Sequence, residues 1–325
     1  MHRKRKMGRP YIIILSAVLF LSACKKDMLN FQRVQKINSY SDSDRLNKIL
    51  FVDGSSGFIV GGQRFYDATI LVTHDGGYSW QKQSHPVAGK ALYDLVVSPA
   101  GTVYTCGFDG KLLRSYDTGS TWLFTQMQFS AFSGIAFTDA SHAIVLGGVS
   151  FNNGTRQTID SSGNVIASDS LGFQPNKIVM TSALVGYICG YGAVQKTIDG
   201  GNTWNFQNVV GDNFTCMDIH GEEIWMCGYN GSVFYTSNGG ASWTRYRNGN
   251  DVTQARYHLY SILFTDEQNG WAVGEDGKVI HSDDGGQHWA EYKQFTTSTL
   301  RSIALCPNGD LMVAGDQGAL YRITP

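Results

Sequence analysis

The chain has 325 residues, with 26 Lys+Arg against 27 Asp+Glu, 38 Gly and only 6 Pro. That length allows one large domain or two smaller ones. The charge balance supplies no basic surface for nucleic acid, and many short apolar runs broken by Gly exclude a mainly helical fold.

Residues 1–23 read as a leader. His2-Arg3-Lys4-Arg5-Lys6 is its basic part, and the apolar run from Tyr11 to Leu21 is too short for a comfortable membrane span. Leu21-Ser22-Ala23-Cys24 has the pattern of a bacterial lipobox. Cleavage there would leave Cys24 as a lipidated N-terminus, exported and anchored to a membrane, with residues 24–30 as a short tether. The leader carries five basic and no acidic residues, so the remainder has 21 basic against 27 acidic, a net charge of −6.

Phe31-Gln32-Arg33-Val34-Gln35 resembles outer strands found later in the chain, such as Phe206-Gln207-Asn208-Val209-Val210. After the Phe31 segment an octapeptide recurs: THDGGYSW from Thr73, SYDTGSTW from Ser115, TIDGGNTW from Thr197, TSNGGASW from Thr236 and SDDGGQHW from Ser282. A decayed copy begins at Thr158, with Val165 in the Trp place. The acidic position falls at Asp75, Asp117, Asp160, Asp199, Asn238 and Asp284, so the spacings are 42, 43, 39, 39 and 46. Five of the seven Trp residues close a box, which chance does not explain. Gly supplies positive φ in a tight turn, and the Asp and Ser/Thr side chains can bond its backbone. A period near 40 with strand-like sequence between the marks predicts an all-β propeller.

The text after the last box repeats strand one, strand two and strand three once more and stops at Pro325. That predicts seven blades over residues 31–325, with the N-terminal strand from Phe31 completing the last one and removing an open edge. The boxes join third to fourth strands and share a face with the first-to-second turns. The opposite face, carrying second-to-third turns and blade connections, is where ligands would meet the propeller. It has the longer loops, and binding residues tend to sit on such loops. Arg64, Tyr66, Phe108, Tyr191, Tyr229, Arg247 and Arg256 are the residues expected to form a partner-binding surface there. Arg and Tyr together suit a protein loop, a carboxylate or a sugar.

No C-x-x-C or H-E-x-x-H spacing, phosphate loop or Ser/His/Asp order occurs, so no metal, cofactor or catalytic residue is expected. Each box offers too few oxygen ligands for calcium. Cys106, Cys189 and Cys227 read as small apolar fillers before the Gly that ends a second strand. Cys216 and Cys227 are expected opposite one another in a hairpin, where a bridge would be strained.

The octapeptides resemble BNR/Asp-box repeats. The full repeat, from Leu263-Phe264-Thr265-Asp266 through Gly270-Trp271-Ala272-Val273-Gly274 to Asp284-Gly285-Gly286, is most similar to the photosystem II assembly and stability factor-like family. The resemblance implies a non-enzymatic, lipid-anchored exported propeller. It would act as a protein-binding scaffold or assembly factor for a membrane or envelope complex, with a membrane-protein intermediate as the expected partner. Two alternatives come with the repeat: a sialidase- or xyloglucanase-like glycoside hydrolase, and a carbohydrate-binding lipoprotein. The Arg-Ile-Pro stretch of sialidases is absent, and of the five Glu residues only Glu275 is expected on the ligand face.

Overall fold

The computed structural model describes residues 28–85, 89–252 and 255–325. The leader and the lipid attachment expected at Cys24 lie outside the described residues. Seven four-stranded antiparallel sheets follow one another around a ring. The first blade comprises Leu46–Phe51, Gly57–Gln63, Asp67–Thr73 and Gln81–Lys82. The inner strands of the next five blades are Leu92–Val97, Phe132–Phe137, Pro175–Met180, Phe214–His220 and Leu259–Phe264.

The seventh blade is Leu300–Leu305, Leu311–Gly315 and Leu320–Thr324, completed by Arg33–Lys36 from the start of the chain. Val34 pairs with Ile323 and Lys36 with Tyr321, so no long edge is left at the closure. The fold begins before residue 31. The Leu29 N–H donates to the Glu291 carbonyl at 2.9 Å, and Leu29 accepts the Lys293 N–H at 2.8 Å. Residues 28–30, expected as tether, therefore already dock on the sixth blade, where Phe31 stacks on Tyr292 at 4.2 Å.

Apolar cores lie between adjacent blades. Phe58, Val60 and Ile70 of the first blade bury against Leu92, Leu95 and Val103 of the second. Ile49, Ile59 and Leu71 meet Met312, Ala314 and Leu320 across the closure. Each such side chain contributes about 1.5–3 kcal/mol, and it does so only when both blades are formed.

The boxes are closed turns. In the fourth blade the Asp199 carboxylate accepts the Thr203 N–H at 2.9 Å, the Thr203 hydroxyl at 2.6 Å and the Thr197 hydroxyl at 2.8 Å. Thr197 in turn accepts the Gly201 N–H, and the Trp204 indole donates to the Gly201 carbonyl at 2.9 Å. Asn238 reproduces the pattern without charge. The decayed box keeps it too, since Asp160 accepts both the backbone and side-chain N–H of Asn164, while Val165 stands exposed where Trp would sit. The second box Gly lies close to the preceding blade. A Cβ on Gly77, which also has φ +85°, would come 3.0 Å from Met312 of the seventh blade.

Box turns bond the first-to-second turns of their own blades, as Gly76 to Ser55 and Gly285 to Gln268, so they share one face. The same turns staple blades together. The first-Gly carbonyl, or its Ser161 counterpart, accepts donors from the blade before: Arg322 on Gly76, Arg114 on Ser161, Lys196 on Gly239 and Trp225 on Gly285.

Candidate functional site

On the opposite face every inner strand carries a β-bulge one residue after its start. The register shifts fall at Asn47, Tyr93, Ser133, Asn176, Thr215, Tyr260 and Arg301. A bulge bends its strand and re-aims a side chain, and here it turns seven polar or aromatic side chains toward the channel mouth. Four of them are clasps between blades. Asn47 donates to the Leu92 carbonyl at 2.7 Å, Ser133 to Pro175 at 2.8 Å, Asn176 to Phe214 at 2.7 Å and Thr215 to Leu259 at 2.8 Å. Tyr93, Tyr260 and Arg301 make no such bond to a neighbouring blade's carbonyl among the described residues, although Arg301 lies over the Tyr260 ring at 4.8 Å.

These three line a funnel of about 420 Å³ together with Arg45, Arg64 and Tyr229. Arg301 holds Asp316 through two bonds of 2.5 and 2.9 Å, and Arg45 reaches the same carboxylate at 3.0 Å. Burial works against the Arg301 charge, but Asp316 outweighs it and holds the guanidinium above its usual range. Burial also pushes the Tyr93 and Tyr260 phenols up, so both remain neutral donors at physiological pH. Arg64 lies over the Phe108 ring at 4.8 Å and has no carboxylate partner among the described residues. Two guanidiniums on one Asp, plus Arg64, leave the mouth positively charged.

Of the residues expected on this face, Arg64 and Tyr229 converge on the funnel, and Tyr229 stacks on His258 at 3.5 Å. Tyr66 is 77% exposed on the rim. Tyr191 pairs with Phe151 at 4.5 Å across two blades. Arg256 is exposed and donates to Asn230 at 2.7 Å. Two expectations need correction. Phe108 is buried, because the short turn it opens tucks its ring between Phe65 and Phe129. Arg247 is also buried. Its guanidinium donates to the Gly231 carbonyl and to Ala255 at 2.5 Å and covers the Tyr257 ring, pinning the connection between the fifth and sixth blades. Sequence reasoning missed Arg45, Tyr93, Tyr260 and Arg301. A signal existed: in every repeat a polar or aromatic residue directly follows the apolar residue that opens the inner strand.

Glu275 does reach this face, but it is engaged with His258 at 2.6 Å. Cys216 and Cys227 are register partners, and both are free thiols. Among the described residues no three His, Cys, Asp or Glu side chains converge as metal ligands would.

Residues 170–252 match the family model of the photosynthesis system II assembly factor YCF48. The repeats thus resemble that family in sequence as well as in blade count. No curated protein matches the chain. A solved structure of YCF48 bound to D1 peptide superposes with TM-score 0.71 at 15% identity, covering 94% of this chain and 100% of that one. YCF48 from Cyanidioschyzon merolae gives 0.70 at 16% identity, over 90% and 99%. A virginiamycin B lyase from Staphylococcus aureus fits equally well, with 0.73 at 14% identity over 90% and 99%. At these identities the likeness establishes the seven-bladed ring, and a ring shared by assembly factors and lyases leaves activity to the site itself.

Proposed function

We propose that the protein is a non-enzymatic, exported scaffold that binds a protein partner on the funnel face, as an assembly factor of the cell envelope. The observation that carries this reading is the gathering of Phe65, Tyr66, Phe129, Phe151, Tyr191 and Tyr229, all exposed, on the loops of that one face. Rigid aromatic anchors rimmed by Arg are what protein interfaces favour. The match to the YCF48 model over residues 170–252 and the solved YCF48–D1 peptide complex support a peptide or protein as partner. In this reading Cys24 carries the lipid, and a membrane-protein intermediate is the favoured client.

The glycoside-hydrolase alternative is not favoured. Acid/base hydrolysis needs two carboxylates free to trade protons across a sugar. On the funnel face Asp316 is held by Arg45 and Arg301, and Glu275 by His258. The carbohydrate-binding alternative keeps the aromatic loops but leaves the stacked pairs without a role in recognising a chain.

A photo-crosslinking residue at Tyr66 or Tyr191, introduced in cells, is expected to trap a discrete envelope protein. The same residue at Tyr116, exposed on the box face, is expected to trap none. Equal labelling from both faces would overturn the reading. Fatty-acid labelling of the wild type and its loss in Cys24→Ser would check the anchor.

A further inference from the structure

One ring below the bulges, the channel is lined by Lys48, Asp94, Gly134, Lys177, Cys216, Ser261 and Ser302, each directly after its bulged residue. Its polar groups are almost all committed. Lys177 reaches past the third blade, where Gly134 has no side chain, and holds both oxygens of Asp94 at 2.8 and 2.9 Å. Asp94 also accepts the Ile135 N–H. Ser261 accepts the Ile303 N–H and Ser302 the Ile49 N–H. Deeper in the channel Asp218 accepts the Phe264 N–H at 2.6 Å. Lys48 is the exception. Its ammonium has no hydrogen-bond or ion-pair partner among the described residues.

Two lysines thus share the channel with Asp94, which Lys177 and the Ile135 N–H already saturate, and with Asp218, which already accepts the Phe264 N–H and lies 3.4 Å from His220. Lys48 is half-buried, so its charge is partly withdrawn from water without a partner, and proteins meet that cost by pairing the charge or neutralising it. The Lys177 charge and then burial push the Lys48 ammonium down from its usual range. The funnel above, with Arg64 and the Arg45–Asp316–Arg301 cluster, favours entry of the opposite charge.

We propose that the channel binds an anionic group, a carboxylate or phosphate, against Lys48, entering through the funnel. The proposal stands apart from the partner reading, because a free small anion would serve as well as an acidic side chain or chain end of a partner.

The test is calorimetric titration of the full chain with inorganic phosphate, triglycine and triglycine amide, with Lys48→Met and Lys48→Arg as variants. Phosphate or the free-carboxylate peptide is expected to bind, and Lys48→Met to weaken that binding at least tenfold without loss of the strand spectrum. Removing an unpaired ammonium leaves no carboxylate unsatisfied, so the Met variant is expected to melt no lower than the wild type. Binding of phosphate alone points to a free anion, and tighter binding of triglycine than of its amide points to a partner's chain end. The groups facing Lys48 are Lys177, Asp94, Cys216 and Asp218. Affinity is expected to fall as pH rises through the lowered Lys48 pKa. In Lys48→Arg it is expected to persist to higher pH, because a guanidinium does not deprotonate there. No binding of any titrant up to about 10 mM, unaltered affinity in Lys48→Met, or identical pH profiles for wild type and Lys48→Arg would each overturn the site.

Discussion

The two faces of the ring spend their polar residues differently. On the box face, Asp199, Thr197, Thr203 and Trp204 satisfy one another inside eight residues, and the backbone carbonyls left over are taken by the neighbouring blade. On the funnel face, the equivalent position of seven repeats is filled by Asn, Tyr, Ser, Asn, Thr, Tyr and Arg. Four of these hold blades together through backbone carbonyls, and the other three, Tyr93, Tyr260 and the Asp316-paired Arg301, line the funnel. Repetition of a closed motif builds the scaffold, and departure from repetition on the same scaffold builds the site. Changes on the box face should therefore cost stability and spare binding. Changes at the free funnel positions should do the reverse.

The largest effect is expected at Arg322, 1% exposed at the ring closure. It donates to the Gly76 carbonyl at 2.6 Å, reaches Asp310 at 3.4 Å and covers the Tyr78 ring at 3.9 Å. Removing one partner of a buried pair costs 3–5 kcal/mol, and Arg322→Met should sit near the lower end, about 3 kcal/mol. The reason is that Asp310 retains Thr324 and Asn308. Urea unfolding measures the loss, and funnel-face crosslinking of the folded variant should be unchanged. Coupled loss of both would break the division between faces.

The converse experiment uses Tyr66→Ala and Arg64→Ala. Neither side chain satisfies a buried group, so stability should stay within about 0.5 kcal/mol, while crosslinking of the partner drops several-fold. A fall in stability with binding intact would make these residues structural and leave the funnel face without a partner.

How much of this division was legible in the sequence follows from distance along the chain. Each box is complete within eight residues, and its Gly, Asp and Trp betray it, so seven blades and the borrowed strand at Arg33–Lys36 could be read directly. The clasps could not. Asn47 and Tyr93 occupy the same repeat position, and only the carbonyl of Leu92, 45 residues from Asn47, decides that the former is a strut. Phe108 and Arg247 misled for a related reason. Both sit at loop positions by sequence, and both turn inward because neighbouring rings and orphan carbonyls are there to receive them.

Acid should act on the box face first. The Thr121 hydroxyl and backbone hold the Asp117 carboxyl down at about 2. At Asp199 the Thr203 hydroxyl and backbone act in the same direction, and at Asp160 the Asn164 side-chain amide and backbone do. Carboxyls lowered on folding contribute stability above the unfolded value of about 3.9 and lose it as pH falls through the folded values. Stability should therefore decline between about pH 4 and pH 2. Asp199→Asn, which copies Asn238, should flatten part of that decline in urea midpoints taken at intervals across the range. An unchanged slope would remove the box carboxylates from the linkage.

The smallest effect sharpens the comparison most, because it tests whether the box is a conformational unit at all. Four boxes place Gly at the first turn position, with φ of 67° at Gly76, 74° at Gly200, 61° at Gly239 and 74° at Gly285. The second blade holds Thr118 there at φ 53°. A β-branched residue in the left-handed region costs about 1–2 kcal/mol, and it remains because Asp117, Thr121 and Trp122 over-determine the turn. Thr118→Gly relieves that strain but gives the unfolded chain more freedom, worth about 0.4–1 kcal/mol. The difference predicts a net gain of about 0.5–1 kcal/mol, read as a higher urea midpoint at constant slope. The reciprocal Gly200→Thr should lose more than the first change gains, since Gly200 also sits 3.0 Å from the Ala183 carbonyl as judged by an added Cβ. If Thr118→Gly destabilises instead, the second box is held by its Thr side chain and the boxes are not interchangeable units.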